Sequence, residues 1–217
     1  AGRAEEAFQG SAAALGVGDR VFLSGLTAAP EGPVEEQFRE VVGLVEEALG
    51  KFKASLADVV RTRVFYTRPQ DRAPLVEAHG RAFRRVQPAA SLTEVHFLPA
   101  GAQVMLEVEA VRGSAGRRRV FPLDTPEAQA AGCAGLVQVG DELWLAGVTA
   151  LQPDGRVNSP GDVSAQSRYV VSRMLAMLEQ CGATAADVVS TRHYTPVAYV
   201  GLGSHHDRIA LMHPGHP

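Results

Sequence analysis

The sequence predicts an α+β fold made of two copies of one unit, each running from a β-hairpin to a helix, a strand and a second helix. Three repeated features lead to this prediction. A Gly-Asp turn that enters an apolar strand occurs at residues 18–25 and again at 140–147. An amphipathic helix pattern follows each hairpin, and the block Ala-Asp-Val-Val follows each helix, at residues 57–60 and 186–189. The same order in both halves indicates an internal duplication.

Each element has a local cause. The Gly-Asp turns lead into apolar runs, which is typical of β-hairpins. Apolar side chains recur at spacings of three and four over residues 34–49 and 164–178, which predicts helices with one buried face. Gly50 is expected to end the first helix, because glycine readily adopts the left-handed conformation of a helix cap. The β-branched residues after Ala57 and Ala186 favour a strand.

The first copy is complete and the second is not. A second helix pattern at residues 75–86 and strand patterns at 91–97 and 104–111 close the first copy. The second copy stops at Pro217, where its last hairpin would begin. Because an unfinished sheet leaves an unpaired edge, we expect that the native chain continues or that another element covers this edge.

The repeats set the predicted domain boundaries: a first repeat at residues 1–113, a linker at 114–125 and a truncated second repeat at 126–217. The linker contains three consecutive arginines, at residues 117–119. A run of like charges is usually solvated, so no binding role is assigned to these arginines.

Composition narrows the functional classes. A net charge of −3 and 46% hydrophobic residues describe a globular chain with no basic patch, so neither nucleic acid nor a membrane is an expected partner. No apolar run approaches the roughly 20 residues of a membrane span, and no signal peptide pattern is present. Two cysteines are too few for a disulfide framework, so a cytoplasmic location is expected.

Several motifs carry a resemblance to a known family. Residues 57–65 read Ala-Asp-Val-Val-Arg-Thr-Arg-Val-Phe, residues 88–95 read Pro-Ala-Ala-Ser-Leu-Thr-Glu-Val, and residues 106–110 read Leu-Glu-Val-Glu-Ala. Together with the Gly-Asp hairpin and a Gln-x-Arg helix, this series resembles the YjgF/RidA family of reactive-intermediate deaminases, also called endoribonuclease L-PSP. The resemblance spans residues 11–112 and, more weakly, 132–212.

The resemblance implies a chorismate-mutase-like fold for each repeat, a mixed sheet with two helices on one face. It also implies a homo-oligomer, with a trimer favoured, whose ligand clefts lie between neighbouring subunits. Members of the family hydrolyse 2-enamine and 2-imine acids to 2-keto acids and ammonia. In them an arginine binds the substrate carboxylate, and a glutamate with an ordered water transfers the proton.

The resemblance also assigns site residues. The family's arginine belongs at the third position of a Pro-Ala-Arg-Ser stretch, which is Ala90 here and argues against the usual imine deaminase activity. Glu107 is retained as the catalytic carboxylate, and Ser24 and Gly25 of the first hairpin are retained as substrate-binding residues. In the second copy, Cys133 occupies the position at which the family has an aromatic residue in its cleft. This position makes Cys133 a candidate catalytic nucleophile. A small buried cysteine is the favoured alternative.

Arg63 and Arg192 are candidates to replace the missing arginine. They occupy the same place on the predicted strands of the two copies. Alternation along the first strand places Val60 and Thr62 on one face and Val59 and Arg63 on the other. Two roles stay open for each arginine. It binds the anionic group of a substrate, or it forms an ion pair with Asp or Glu at a subunit interface, and the ion pair is favoured.

The favoured functional prediction is an enzyme that acts on a small carboxylated or imine- or enamine-like metabolite, by water-mediated hydrolysis or proton transfer, in a biosynthetic pathway. The alternative is a non-catalytic, oligomeric protein of the same fold that binds a small ligand or serves as a scaffold. No cofactor and no metal are expected. Histidines crowd the C-terminal end, but no carboxylate or thiolate accompanies them at a recognised ligand spacing.

Overall fold

The structure, a computed structural model, describes residues 12–29, 31–123 and 125–194. The chain divides into two compact units, Ala1–Gly147 and Val148–Pro217. The division falls after the second predicted hairpin rather than within the predicted linker, so that hairpin folds with the first repeat. The duplication itself stays a prediction. None of the described helices is long and apolar enough to cross a membrane.

The described part of the first unit is built on one mixed sheet of eight strands. The strands are β1 (Ala14–Val17), β2 (Arg20–Thr27), β3 (Val59–Tyr66), β4 (Ala89–Glu94), β5 (Val104–Val111), β6 (Arg118–Pro122), β7 (Ala134–Val139) and β8 (Glu142–Leu145). The helices are α1 (Val34–Lys51), α2 (Arg72–Phe83) and α3 (Pro126–Ala131). The strand order is β1-β2-β5-β3-β4-β7-β6, with β8 paired to β7. The pairs β3–β4 and β4–β7 are parallel and the others antiparallel.

One face of this sheet packs on α1 and α2, as predicted. The apolar stripe of α1 is buried along its whole length, at Val34, Phe38, Val41, Val45 and Leu49. It packs with Leu75 and Phe83 of α2 and with inward-facing residues of β2, β3 and β5 in one apolar core. The helical periodicity therefore predicted the buried face of α1 correctly.

The end of α1 differs from the prediction. The helix continues to Lys51, and the left-handed residue that follows it is Lys53, with a φ of 58°. Phe52 packs against the core and Ala54 is buried. These apolar contacts carry the chain past Gly50, so the predicted cap at Gly50 is wrong.

The opposite face of the sheet is partly covered by the hairpin of β7 and β8, whose residues belong to the second predicted repeat. A second apolar cluster joins this hairpin to the first repeat; its buried members are Val60, Ala89, Val111, Ala134, Val137, Val139, Trp144 and Ala146. Ala134 pairs with Ala89 at the edge of β4. The hairpin therefore extends the sheet of the first repeat and also covers part of its second face.

The predicted linker contains β6, and Arg118 within it is not a solvated charge. Its guanidinium donates to the carbonyl oxygens of Val59 at 2.8 Å and Val86 at 3.0 Å. It also bonds Ala57 O and, at 2.9 Å, Ser114 Oγ. Burial lowers the pKa of Arg118 below its usual range. The prediction of a solvated run is wrong for this residue, because the carbonyl groups where β3 begins need a donor.

The second unit contains α4 (Val163–Glu179) in its described part. Thr184 and Asp187 form a capping box around a short 3₁₀ turn, as Ser55 and Asp58 do before β3. The strand predicted to follow is wrong in the second unit, because residues 188–194 form none. The first unit has β4 and β5 to pair with β3, whereas the described part of the second unit offers residues 188–194 no pairing strand.

A buried histidine connects α2, β3 and α3. His79 Nδ1 lies 2.6 Å from Ala131 O, and Nε2 lies 2.8 Å from Thr62 Oγ1. Because a carbonyl oxygen can only accept, Nδ1 carries the proton and Nε2 accepts from the threonine hydroxyl. Burial lowers the pKa of His79 to about 4, so the ring is neutral at pH 7.

This histidine predicts a loss of stability in mild acid. Between pH 6.5 and 4 the unfolded chain binds a proton at His79 that the folded chain excludes. The free energy of unfolding therefore decreases as the pH is lowered through that window. The expected loss between pH 7 and pH 5 is about 2 kcal/mol, measured by urea unfolding at both values. His79→Gln, which keeps a polar side chain without this titration, is expected to lose much less stability over the same pH interval. Equal losses in the two proteins contradict the prediction.

Candidate functional site

Three predicted site residues meet at a bulge in the sheet. The register of β2 against β5 shifts between Leu23 and Leu26. Two residues, Ser24 and Gly25, therefore lie opposite Glu107 alone, which is the arrangement of a β-bulge. Bulges turn backbone groups and side chains away from the regular ladder and are common beside active sites.

The bulge is exposed and depends on a small residue. Ser24 Oγ donates to Ala12 O at 2.6 Å. A Cβ atom at Gly25 would lie 2.2 Å from Met105 Sδ, so this position accommodates glycine alone without displacing Met105. Both Ser24 and Gly25 are exposed, whereas Arg63 and Glu107 are only partly exposed.

Arg63 lies on β3 directly opposite Glu107. Thr62 faces the helices, where it bonds His79, so Arg63 faces away from them as predicted. Val59 and Val60 have exchanged their predicted faces, since Val59 packs in the helix-side core and Val60 in the second cluster. The exchange follows from a register shift of β3 against β5 just after Val59.

Four side chains of β3 and β5, Arg61, Arg63, Glu107 and Glu109, form an ion-pair cluster on this face. Arg63 Nη2 lies 2.8 Å from Glu109 Oε1, and its Nη1 lies 3.3 Å from Glu107 Oε2. Arg61 Nη1 lies 3.3 Å from Glu109 Oε1. The four side chains are 12 to 23% exposed. Two cations and two anions balance, which limits the cost of holding charge at a poorly solvated site.

The second hairpin supplies a further partner to this cluster. Trp144 is buried, and its Nε1 donates to Glu109 Oε2 at 2.9 Å. Burial by itself would raise the pKa of Glu109, but the charges of Arg61 and Arg63 and the donated hydrogen bonds lower it overall. Trp144 was not among the predicted site residues. In the sequence it is one apolar residue in a strand, and no local pattern indicates that it meets Glu109.

The position of the family's arginine is closed. Ala90 is buried, and its carbonyl oxygen accepts from the Gly147 N–H at 2.9 Å. A Cβ atom on Gly147 would lie 2.8 Å from Ser91 Cβ, so the hairpin packs directly on β4. Ala90 therefore offers neither a cation nor an exposed side chain at this position.

Cys133 is placed apart from the ion-pair cluster. It lines a cleft of about 550 Å³ whose walls are Arg84, Gln87, Pro122, Leu123, Ala128, Gln129 and Gly132. No member of the ion-pair cluster lines this cleft. The thiol lies 3.6 Å from Ala128 O, and burial, together with the charge of Glu127, raises the pKa of Cys133 to about 11. A nucleophilic cysteine needs a lowered pKa, so this geometry does not favour that role.

Arg192 lies in the second unit and is exposed, on a segment without regular structure. Within the described ranges, no three side chains of His, Cys, Asp or Glu come together as ligands of a metal ion. His205, His206, His213 and His216 lie outside the described residues. Arg63, Glu107, Ser24 and Gly25 are therefore the predicted site residues that the fold brings together.

A mixed sheet with two helices on one face and a charged cluster on the other defines the first unit as a small α+β domain. The family is given by comparison: the model described as Endoribonuclease L-PSP matches residues 4–112, and the chain belongs to that family. The resemblance to the YjgF/RidA family that the motifs predicted is thereby confirmed.

Individual relatives match about half of the chain. An uncharacterised protein of Streptomyces coelicolor is 36% identical over 117 residues, which are 51% of this chain and 87% of that protein. A RutC family protein of Pyrococcus abyssi is 31% identical over 105 residues, 45% of this chain and 81% of the relative. A crystal structure of a member of the YjgF/YER057c/UK114 family from Mycobacterium tuberculosis is 34% identical, with a TM-score of 0.47, and the match covers 51% of this chain and 94% of that one.

The raised pKa of Cys133 predicts slow alkylation. The shift from 9.0 to about 11 leaves about 100-fold less thiolate than in an ordinary cysteine at pH 8. In a Cys181→Ser variant, which leaves Cys133 as the remaining thiol, iodoacetamide is expected to react roughly 100-fold more slowly than with a free cysteine peptide. Mass spectrometry of the intact protein follows the reaction. Alkylation at the rate of the peptide would restore Cys133 as a candidate nucleophile.

Proposed function

We propose that this protein acts on a small carboxylated or imine- or enamine-like metabolite, by water-mediated hydrolysis or proton transfer at Glu107. The observation that carries the proposal is the juxtaposition of Glu107 with the exposed bulge of Ser24 and Gly25. Glu107 lies in the middle of three neighbouring strands, with the bulge on one side and Arg63 on the other. A ligand that rests on the bulge therefore meets a carboxylate that is held in place by an arginine.

For an imine substrate the proposed role of Glu107 is that of a general base. Its carboxylate takes a proton from water while the water oxygen attacks the imine carbon, and the π electrons move to the nitrogen, which receives that proton from Glu107 to give a carbinolamine. Glu107 then takes the proton of the new hydroxyl group and passes it to the nitrogen as the C=O bond forms and the C–N bond breaks. The products are a 2-keto acid and ammonia, so imine and water are consumed in equal amounts.

The substrate-binding roles are divided among the remaining residues. Ser24 and Gly25 are proposed to contact the substrate at the bulge. Arg63 already bonds two carboxylates, and a substrate carboxylate has to compete with them for its guanidinium. Arg63 is therefore proposed to act on the substrate through the electric field of its positive charge and by orienting Glu107. Arg192 is proposed as an independent anion-binding residue of the second unit.

We further propose that the protein works as a cytoplasmic homo-oligomer, with a trimer favoured. The hairpin of β7 and β8 shows how a hairpin of this kind packs: its Gly147 bonds the β4 residue Ala90. The equivalent Ser24 and Gly25 of the first hairpin are exposed. A neighbouring subunit that covers this bulge would enclose the ligand between two chains.

A second candidate function is a non-catalytic protein that binds a small ligand or serves as a scaffold. Two observations favour it: Ala90 takes the place of the family's arginine and is buried, and Arg63 is engaged in ion pairs. Both candidates use the same face of the sheet. They differ in whether a bound imine is turned over.

Turnover and its dependence on Glu107 separate the two candidates. Ammonia release from a freshly generated 2-enamine acid is expected to exceed the rate of spontaneous hydrolysis, and Glu107→Gln is expected to reduce this excess by roughly 100-fold or more, as loss of a general base does. Glu77→Gln, which removes an exposed carboxylate of α2, is the matched control and is expected to retain full activity. Binding of the corresponding 2-keto acid without any ammonia release favours the non-catalytic candidate.

Replacement of Arg63 tests its two roles. Arg63→Met leaves Glu107 and Glu109 without their shared cation, and it is expected to lower the free energy of unfolding by on the order of 3 kcal/mol. Arg192→Met, at an exposed site, is expected to leave stability unchanged. Unfolding curves, ligand binding and the oligomer size from light scattering are measured together. If Arg63→Met dissociates the oligomer and the remaining protein still binds ligand, Arg63 is an interface residue rather than a site residue.

A further inference from the structure

The ion-pair cluster is asymmetric in a way that its strand register does not explain. In the register of β3 and β5, Arg61 lies opposite Glu109 and Arg63 lies opposite Glu107. Two equal pairs are therefore expected, because directly opposite charges attract most strongly. Instead Arg63 makes its short contact diagonally, to Glu109 at 2.8 Å, and its long contact to Glu107 at 3.3 Å.

Trp144 accounts for this asymmetry. Its indole N–H takes one oxygen of Glu109, Oε2, at 2.9 Å. The other oxygen, Oε1, is thereby turned toward both guanidinium groups and is the atom that Arg61 and Arg63 share. Glu109 thus accepts from three donors, and of the two contacts that Arg63 makes, the one to Glu107 is the longer.

We infer that Trp144 is a positioning residue that draws the two arginines onto Glu109 and so keeps Glu107 as the carboxylate that meets a ligand. Of the two glutamates, Glu109 holds the arginines in place and Glu107 is the carboxylate that reacts. This division of labour rests on the proposed function, since it deepens the role given there to Glu107. The hydrogen bond and its effect on Glu109 are physical properties of the folded chain, and they are measurable without any substrate.

The geometry around Trp144 explains why this residue can hold its orientation. The ring is 4% exposed and belongs to the second apolar cluster. The guanidinium of Arg20 lies 5.7 Å from the ring centroid, and Arg20 is itself bound to Glu142 of the same hairpin, at 2.9 Å through its Nε. Packing and the cation–π contact fix the plane of the indole, so its N–H points at Glu109 before any ligand arrives.

The inference also assigns a role to the second predicted repeat. Trp144 and Glu142 belong to that repeat by sequence, whereas the four charged residues belong to the first. One repeat therefore supplies the charges of the site and the hairpin of the other sets their pairing. The two predicted repeats serve one site in the first unit through unlike contributions.

A substitution at Trp144 tests the inference directly. Trp144→Phe retains the aromatic packing and removes the N–H, so the pKa of Glu109 is expected to rise by roughly one unit or more, the effect of losing one hydrogen bond to a charged group. Side-chain carboxyl carbons of selectively labelled protein report this titration by NMR. Gln138→Ala, on the same hairpin but bonded to Gly140 and Arg119, is the matched control and is expected to leave it unchanged. A pKa of Glu109 that is the same in wild type and Trp144→Phe overturns the inference.

A second measurement remains available if Trp144→Phe does not fold. Trp144 is the single tryptophan of the chain, so intrinsic fluorescence reports the indole directly. In the folded wild type its emission is expected to change as Glu109 is protonated, and Glu109→Gln is expected to abolish that change. The inference is overturned if the emission does not change when Glu109 is protonated, or if the emission change persists in Glu109→Gln.

Activity adds a separate readout. In Trp144→Phe the pH profile of ammonia release is expected to shift while the protein still binds the 2-keto acid, since Arg63 moves back toward Glu107. The two levels are distinguishable. A shifted titration of Glu109 in a protein that releases no ammonia supports the role of Trp144 and rejects the hydrolytic function, and an unshifted titration rejects the role of Trp144 whatever the activity.

Discussion

A sheet with helices on one face needs other groups to cover its second face or to neutralise the charges there. In this protein that requirement determines how the first unit is built. The inward face is closed by the apolar stripe of α1 and by α2. The outward face carries four charges in its middle, on the adjacent strands β3 and β5. Apolar packing cannot cover those charges, so they neutralise one another, and an apolar hairpin covers the part of the face beside them.

This solution makes the hairpin of β7 and β8 an integral part of the first unit. Its apolar side chains pack on Val60 and Val111, and its backbone bonds the edge of β4 through Gly147. The same contacts that cover the face also bring a donor, Trp144, to Glu109. The packing of the hairpin and the pairing within the ion-pair cluster therefore depend on one interface, and a substitution there is expected to affect both.

Sequence patterns predicted the features that local periodicity determines. The buried stripe of α1, the strand of β3 and the outward direction of Arg63 all follow from spacings of three, four and two residues. Periodicity assumes a regular ladder, however, and a one-residue register shift next to Val59 exchanged the faces of Val59 and Val60. A pattern cannot locate such a shift, because it arises from the pairing with β5.

Long-range contacts account for what else the sequence could not predict. Arg118 was grouped with its charged neighbours, but it meets carbonyl oxygens about 30 and 60 residues away in the chain. Trp144 meets Glu109 across 35 residues, and no motif connects them. The family resemblance predicts a role for Glu107 and none for Glu109, since motifs record which residues a family retains and not how a particular chain pairs its charges.

The two hairpins show that similar sequences can have different surroundings in the fold. The bulge of the first hairpin, Ser24 and Gly25, is exposed opposite Glu107. The equivalent residues of the second, Ala146 and Gly147, donate their N–H groups to Gly135 and Ala90. A hairpin that serves as a cover cannot at the same time offer its backbone to a ligand. The exchange of Ser24 for Ala146 fits this difference, because a hydroxyl suits an exposed bulge and a methyl group suits the second apolar cluster.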